Sequence, residues 1–338
     1  LIVASAPSYP QGVVDPVSEL AELAASRDIL LHVDTCIGGF MLPFVRELGR
    51  PVPPFDFGVP GVTSMSVDLH KYGYAAKGAS VVLYRYPELR RHQFFAYTDW
   101  PGGIYVSPTM TGTRSGGAIA AAWAALQHLG HDGYLGIAED VMEAVDELRE
   151  GIDAVPGLSV LGDPCMSLLS IGSSTLDIYE VGDNMTALGW HMDRQQTPNS
   201  LHLTVNHAHV GHTDQFLADL RSAARIEPKA PLDRFLDKGK SLLLGAAVKV
   251  LPARVMSKAT ELASTALGFD GDGVLPERTA AMYGMMASVP NRGDLETIVV
   301  DLLDKLTRYD PSAEIAVGER AQEGAGEQEP ESSPPPRS

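Results

Sequence analysis

The chain of 338 residues is 44% hydrophobic and carries a net charge of -17, which suits an enzyme with more than one domain and argues against nucleic acid as a partner. Its two cysteines make no disulfide framework and point to a reducing, cytoplasmic setting. No stretch reads as a signal peptide or stays apolar long enough to span a bilayer.

Residues 1–6, Leu-Ile-Val-Ala-Ser-Ala, read as a core strand with no cap before it. The loop that follows carries Tyr9, which serves turn packing or reaches a substrate. Asp15 as N-cap and Pro16 at the first helical position open a helix running to about Arg27, with Val17, Leu20, Leu23 and Ala24 along one face. Residues 29–34 then read as a buried parallel strand ending in Asp34, so residues 1–34 form a βαβ unit. A carboxylate at that strand end is either a cap or turn former, or the acid that meets a pyridinium nitrogen. Residues 35–60 are rich in Gly, Pro and Phe and are expected to cover the site as a long loop or short helices.

The chain is organised around Asp68-Leu-His70-Lys71-Tyr-Gly-Tyr-Ala-Ala-Lys77-Gly, set between apolar runs at 61–67 and 81–84. A lysine in the connection between two buried strands lies at the sheet's carboxyl edge, where open α/β sheets bind ligands. Lys71 is therefore a candidate Schiff-base amine, with His70 and Lys77 as neighbouring cations that would favour its neutral form. The plain alternative is a surface lysine on a turn. Asp34 and Lys71 would be two ends of one pyridoxal-phosphate site, the acid keeping the ring nitrogen protonated.

Gly112-Thr113-Arg114 precedes a helix over about 115–129, whose amino end is suited to an anion; Thr113 alternatively helps cap that helix. Tyr97 and Trp100 read as core or interface aromatics. From residue 130 the pattern changes to helices at 134–154, 178–189 and 212–224 and short strands at 158–161, 167–172 and 201–205. His207, His209 and His212 lack accompanying ligands at metal spacing and read as a strand-to-helix turn. Residues 226–277 form a helical segment with a local excess of basic residues. Its 230–270 portion is a hairpin packed on its own domain or a helix pair lying on an anionic membrane. The Glu-, Gly-, Ser- and Pro-rich tail is expected to be disordered.

Five ordered motifs carry a resemblance: Asp34-Thr-Cys36-Ile-Gly-Gly, Pro54-Phe-Asp-Phe57, Val62-Thr-Ser-Met-Ser66, His70-Lys71-Tyr-Gly-Tyr-Ala-Ala-Lys77-Gly, and Gly102-Gly-Ile-Tyr105 through Gly112-Thr113-Arg114-Ser-Gly-Gly117. Together they resemble the sphingosine-1-phosphate lyase family, over residues 1 to about 225 and again from about 282 to 309. The resemblance implies an aspartate-aminotransferase-like α/β fold of type I. Such a fold has a mostly parallel sheet with helices on both faces and a smaller α/β carboxyl-terminal domain. It divides the chain into 1–130, the carboxyl-terminal part of the cofactor-binding domain; 131–309, the small domain with its insertion; and the tail 310–338. It also implies a homodimer and a retro-aldol cleavage of a phosphorylated sphingoid base.

By the same resemblance Cys36 passes against the cofactor ring, where packing is its plainer role. His70 lies in the cofactor site, and Gly112 and Thr113 meet the cofactor phosphate of a neighbouring subunit. Lys77 faces the substrate phosphate as a point charge, with the role of Tyr105 in substrate phosphate binding left open. No metal is implied. Relatives carry upstream a dimerising arm, a loop cradling the cofactor phosphate and a residue stacked on its ring. None is identified here, so the chain is expected to be the later part of a longer enzyme that binds the cofactor poorly alone. An amino-acid decarboxylase of the same fold, or an inactive remnant, are the rival readings. Lys77 and residues 105–113 argue against the first.

Overall fold

Short runs that alternate apolar with small or polar residues form the first sheet. The computed structural model describes residues 1–99, 101–225 and 280, all in one compact unit. Strand β1 (Ile2–Ser5) leads through helix α1 (Val17–Ser26) to β2 (Leu31–Asp34), and helix α2 (Gly38–Glu47) leads on to β3 (Val62–Asp68). The three strands are parallel, with Ser5 beside Asp34 and Asp34 beside Ser66. Strand β4 (Ser80–Tyr84) pairs with β3 antiparallel and completes the order β1-β2-β3-β4.

Local departures from the sequence reading have identifiable causes. Asp15 does not cap α1: its carboxylate accepts the Ser5 N–H at 2.7 Å, leaving Pro16 at the cap position. The helix buries Val17, Ala21 and Ala24, spaced four and three apart, while Leu23 falls on the other side and is exposed. The expected cover of loop or short helices over residues 35–60 contains the ten-residue α2, which forms despite Pro43 because Met41, Leu42 and Val45 are buried. Gly38 is required at its start, since a Cβ there would meet the Ala6 carbonyl oxygen. Strand β4 is not buried: Val81, Val82 and Leu83 are each 39–48% exposed. The short connection from β3 returns the chain antiparallel, to an edge position that the described residues leave uncovered.

Helix α3 (Pro87–Arg90), a 3₁₀ turn (Arg91–Gln93) and an antiparallel ribbon of β5 (Phe95–Tyr97) and β6 (Tyr105–Ser107) follow; the sequence reading foresaw none of them. Tyr97 is exposed rather than core, and Trp100 lies outside the described residues. Helix α4 (Gly116–Asp153) bends at Gly130, whose φ of 59° is left-handed, so it reads as the two helices expected on either side. Its second half buries Val141, Val145, Leu148 and Ile152 along one stripe.

Strands β7 (Ser159–Val160), β8 (Leu168–Gly172), β9 (Asp193–Gln195) and β10 (Ser200–Thr204) make a second, antiparallel sheet in the order β7-β8-β10-β9. Helix α5 (Ile178–Ala187) is capped by Asp177, which accepts the Tyr179 N–H, and α6 (Thr213–Ala223) follows a 3₁₀ turn (His207–His209). One continuous apolar cluster joins both sheets, from Ala4 and Val33 to Ile171 and Leu220. The expected helical segment 226–277, the resumed match at 282–309 and the tail 310–338 lie outside the described residues. Among those residues no helix is long and apolar enough to cross a membrane, and no cluster of metal ligands occurs.

Candidate active site

The pleat of the first sheet sorts its side chains. On β2, Leu31 and Val33 are fully buried, while His32 and Asp34 alternate onto the opposite, half-buried face. On β3 the neighbours across the ladder are Ser64, opposite His32, and Ser66, opposite Asp34. A row of polar groups therefore leads to the carboxyl ends of the strands.

Asp34 Oδ1 accepts the Cys36 backbone N–H and the Ser66 hydroxyl, each at 3.0 Å. Burial works to raise its pKa, but those two bonds, the Cys36 thiol and the Lys71 ammonium outweigh it and hold the carboxyl below its ordinary value. Asp34 is thus an anion at neutral pH. Lys71 lies one turn beyond β3, its Nζ 2.9 Å from Asp68 Oδ2 and hydrogen-bonded to the Cys36 thiol. Burial lowers the lysine's pKa, yet Cys36 and Asp68 together carry it above the ordinary value. Burial in turn raises the Cys36 thiol, against the pull of Lys71. Lys71, Cys36 and Asp34 form one contiguous group.

Among the described residues, neither His70 nor Lys77 supplies the expected cationic influence on Lys71. The partners that hold its charge are the Cys36 thiol and Asp68, three residues earlier. His70 instead turns its Nδ1 to the Ala79 carbonyl at 2.7 Å, with Nε2 3.8 Å from Asp68. Lys77 is exposed and makes no ion pair among the described residues. Its neighbour Gly78 approaches Ala118 in the first turn of α4.

The remaining predicted residues lie on other segments of the chain, with Tyr9 within electrostatic reach of Lys71. Gly112, with a φ of 65°, and Thr113 lie on the exposed lead into α4; Ser115, not Thr113, occupies the cap position. Tyr105 sits on β6, half-exposed, edge-on to Phe95 at 6.1 Å. Tyr9 turns to the second sheet, its hydroxyl donating to Asp193 at 3.1 Å and its ring 4.3 Å from that of His202.

Sequence reasoning missed Asp68, the serine–histidine row and the tyrosines around Lys71. Tyr72 donates to the Val205 carbonyl at 2.6 Å and accepts from Ser167; Tyr134 donates to the Gly73 carbonyl at 2.7 Å. The His207 N–H reaches the Tyr74 hydroxyl, so the lysine turn is fastened to the exit of β10 and to α4. Burial pushes the Tyr72 phenol up, keeping it protonated. Tyr72→Phe is expected to cost about 1–3 kcal/mol, because Ser167 and the Val205 carbonyl lose a partner away from water. Thermal unfolding of the variant against the parent measures that loss.

Residues 1–170 match the profile of a family described as the pyridoxal-dependent decarboxylase conserved domain. The chain belongs to this family. A sphingosine-1-phosphate lyase of Oryza sativa is 49% identical over 256 residues, covering 76% of this chain and 47% of the relative. One of Arabidopsis thaliana is 53% identical over 223 residues, covering 66% of this chain and 41% of that relative. The chain thus spans about half the length of the curated relatives it matches. Among solved structures, a sphingosine-1-phosphate lyase of Burkholderia pseudomallei aligns with a TM-score of 0.65 at 43% identity, over 71% of this chain and 55% of that one. A Lactobacillus brevis glutamate decarboxylase, at 21% identity and a TM-score of 0.56, shares the fold. The fold is that of type I, aspartate-aminotransferase-like pyridoxal-phosphate enzymes, and pyridoxal phosphate is the cofactor.

The residues present fit that cofactor. Its ring nitrogen calls for a carboxylate that stays ionised, which Asp34 is, and its aldehyde for a primary amine in the same group, which Lys71 supplies.

Proposed function

We propose that this protein acts as a lyase on sphingosine 1-phosphate or a related phosphorylated long-chain base, giving a fatty aldehyde and phosphoethanolamine. The single observation that carries this reading is the contiguous Lys71–Cys36–Asp34 group at the carboxyl edge of a sheet whose chain is 43–53% identical to sphingosine-1-phosphate lyases. When bound, pyridoxal phosphate supplies an electron sink for the pair released as the substrate's carbon–carbon bond breaks.

The chain's own residues provide the rest. Asp34 holds the proton on the ring nitrogen. Lys71 would hold the cofactor through its Nζ, which must first surrender a proton, and Asp68 Oδ2 at 2.9 Å is the adjacent acceptor. In this reading Lys77 offers a fixed positive charge to the substrate phosphate, Tyr105 is a further candidate for that phosphate, and Gly112 and Thr113 serve the cofactor phosphate of a neighbouring subunit. A homodimer belongs to this reading, supported by the exposed apolar side chains Val82, Leu83, Phe95, Val106 and Trp123. So does a cytoplasmic location; segment 230–270, proposed to touch membranes peripherally, lies outside the described residues.

The test is to incubate the protein with pyridoxal phosphate and sphingosine 1-phosphate, and separately with amino acids. Fatty aldehyde and phosphoethanolamine in equal amounts are the expected products. Carbon dioxide from amino acids without aldehyde from the lipid would replace the lyase reading by the decarboxylase one.

A further inference from the structure

We propose that Ser64, His32 and Ser66 form a one-directional hydrogen-bond relay that keeps Asp34 anionic and aimed at the cofactor's ring nitrogen, which makes His32 a positioning residue. The proposal deepens the role given to Asp34 and rests on that reading.

The register creates the relay. His32 lies opposite Ser64 and Asp34 opposite Ser66, all on the face turned away from Leu31 and Val33. The Ser66 hydroxyl donates its only proton to Asp34 Oδ1 at 3.0 Å. Toward His32 Nε2, 3.3 Å away, the same oxygen can then only accept, so Nε2 carries the proton. Burial lowers the pKa of the imidazole against the opposing pull of Asp34, so the ring is neutral and Nδ1 is bare. That nitrogen takes the Ser64 hydroxyl proton at 2.8 Å. Every bond runs toward the carboxylate, and bonds aligned in series polarise one another.

Among the described residues, the other titratable groups shown near this row lie at its far end: the Cys36 thiol and the Lys71 ammonium beyond Asp34, with Asp68 behind the lysine. On β1 the residue beside His32 is Val3, which carries no charge. Among the described residues the hydrogen-bond partners of His32 are Ser64 and Ser66, so it acts through Ser66 on Asp34.

The experiment has a spectroscopic arm on the protein without added cofactor and a kinetic arm on the loaded enzyme. Long-range proton–nitrogen spectra at neutral pH should place the His32 proton on Nε2; a proton on Nδ1 overturns the relay. The Asp34 carboxyl carbon shift, followed against pH, should show its midpoint moving upward in His32→Phe and Ser66→Ala. An unmoved midpoint also overturns it. In turnover, His32→Phe should lower kcat roughly tenfold with little change in KM, a loss matching one charge-assisted bond. His32→Gln should recover most of that loss, since its amide can donate to Ser66 and accept from Ser64 at once. Equal loss in both variants reduces His32 to a packing residue. If His32→Phe does not fold, Ser66→Ala decides. A parent that leaves the phosphorylated base untouched while the carboxyl and tautomer results hold removes the proposed reaction and keeps the relay.

Discussion

Lys71→Ala is expected to abolish turnover, with a loss on the order of 1000-fold or more, while the protein folds as before. The lysine would hold the cofactor in the proposed reaction, and no other amine in the Lys71–Cys36–Asp34 group can replace it. Its folded-state ties are modest: the side chain is 36% exposed and pairs with Asp68, an arrangement typically worth well under about 1 kcal/mol. Because Asp68 and Cys36 raise the lysine's pKa on folding, the small stabilisation they give is fully present below the ordinary lysine pKa. It is lost as pH rises through the folded value, so variant and parent should converge in stability at strongly alkaline pH. Two measurements separate chemistry from fold. Thermal unfolding should change little, whereas borohydride reduction with pyridoxal phosphate should label the peptide holding residue 71 in the parent alone. A label that persists elsewhere in the variant would move the reactive amine off Lys71.

What the sequence made legible was the alternation on the first sheet. Leu-His-Val-Asp and Thr-Ser-Met-Ser-Val-Asp each have period two, and the burial of Leu31 and Val33 against the half-exposed His32 and Asp34 follows that period. The lysine's electrostatics were less legible, because Asp68 sits three positions before it and the direction of its side chain depends on how the chain turns after β3. Strand β4 reads as buried on composition alone; only the pairing shows it to be an antiparallel edge. The α2 segment shows the reverse, since Pro43 and two glycines argue for loop while three buried side chains on one face impose a helix. Strand β9 had no apolar signal at all: Asp193, Arg194 and Gln195 enter the sheet through backbone pairing, with the Arg194–Asp183 ion pair buried beneath it. The tyrosines that fasten the lysine turn touch partners 61 to 133 residues away, a distance no local pattern encodes.

Asp34→Asn is expected to lower kcat by about 100- to 10,000-fold, the range that follows from removing one partner of a half-buried charge pair. The substitution is chosen because it isolates charge from shape. The amide oxygen of asparagine can still accept the Cys36 N–H and the Ser66 hydroxyl, so the fold and the serine–histidine row persist. What disappears is the negative charge that keeps a proton on the ring nitrogen. The pH dependence carries the sign of the effect. Asp34 has a folded pKa below its unfolded one, so its contribution is present above the ordinary carboxylate value and lost as pH falls through the depressed folded value. Parent activity should therefore persist into mildly acid solution before this carboxylate fails, and stability should follow the same limb. In the variant both profiles should lose that limb, because nothing remains at the position to titrate. An acid limb that survives unchanged in Asp34→Asn would assign it to another group and leave the ring nitrogen without its proposed partner.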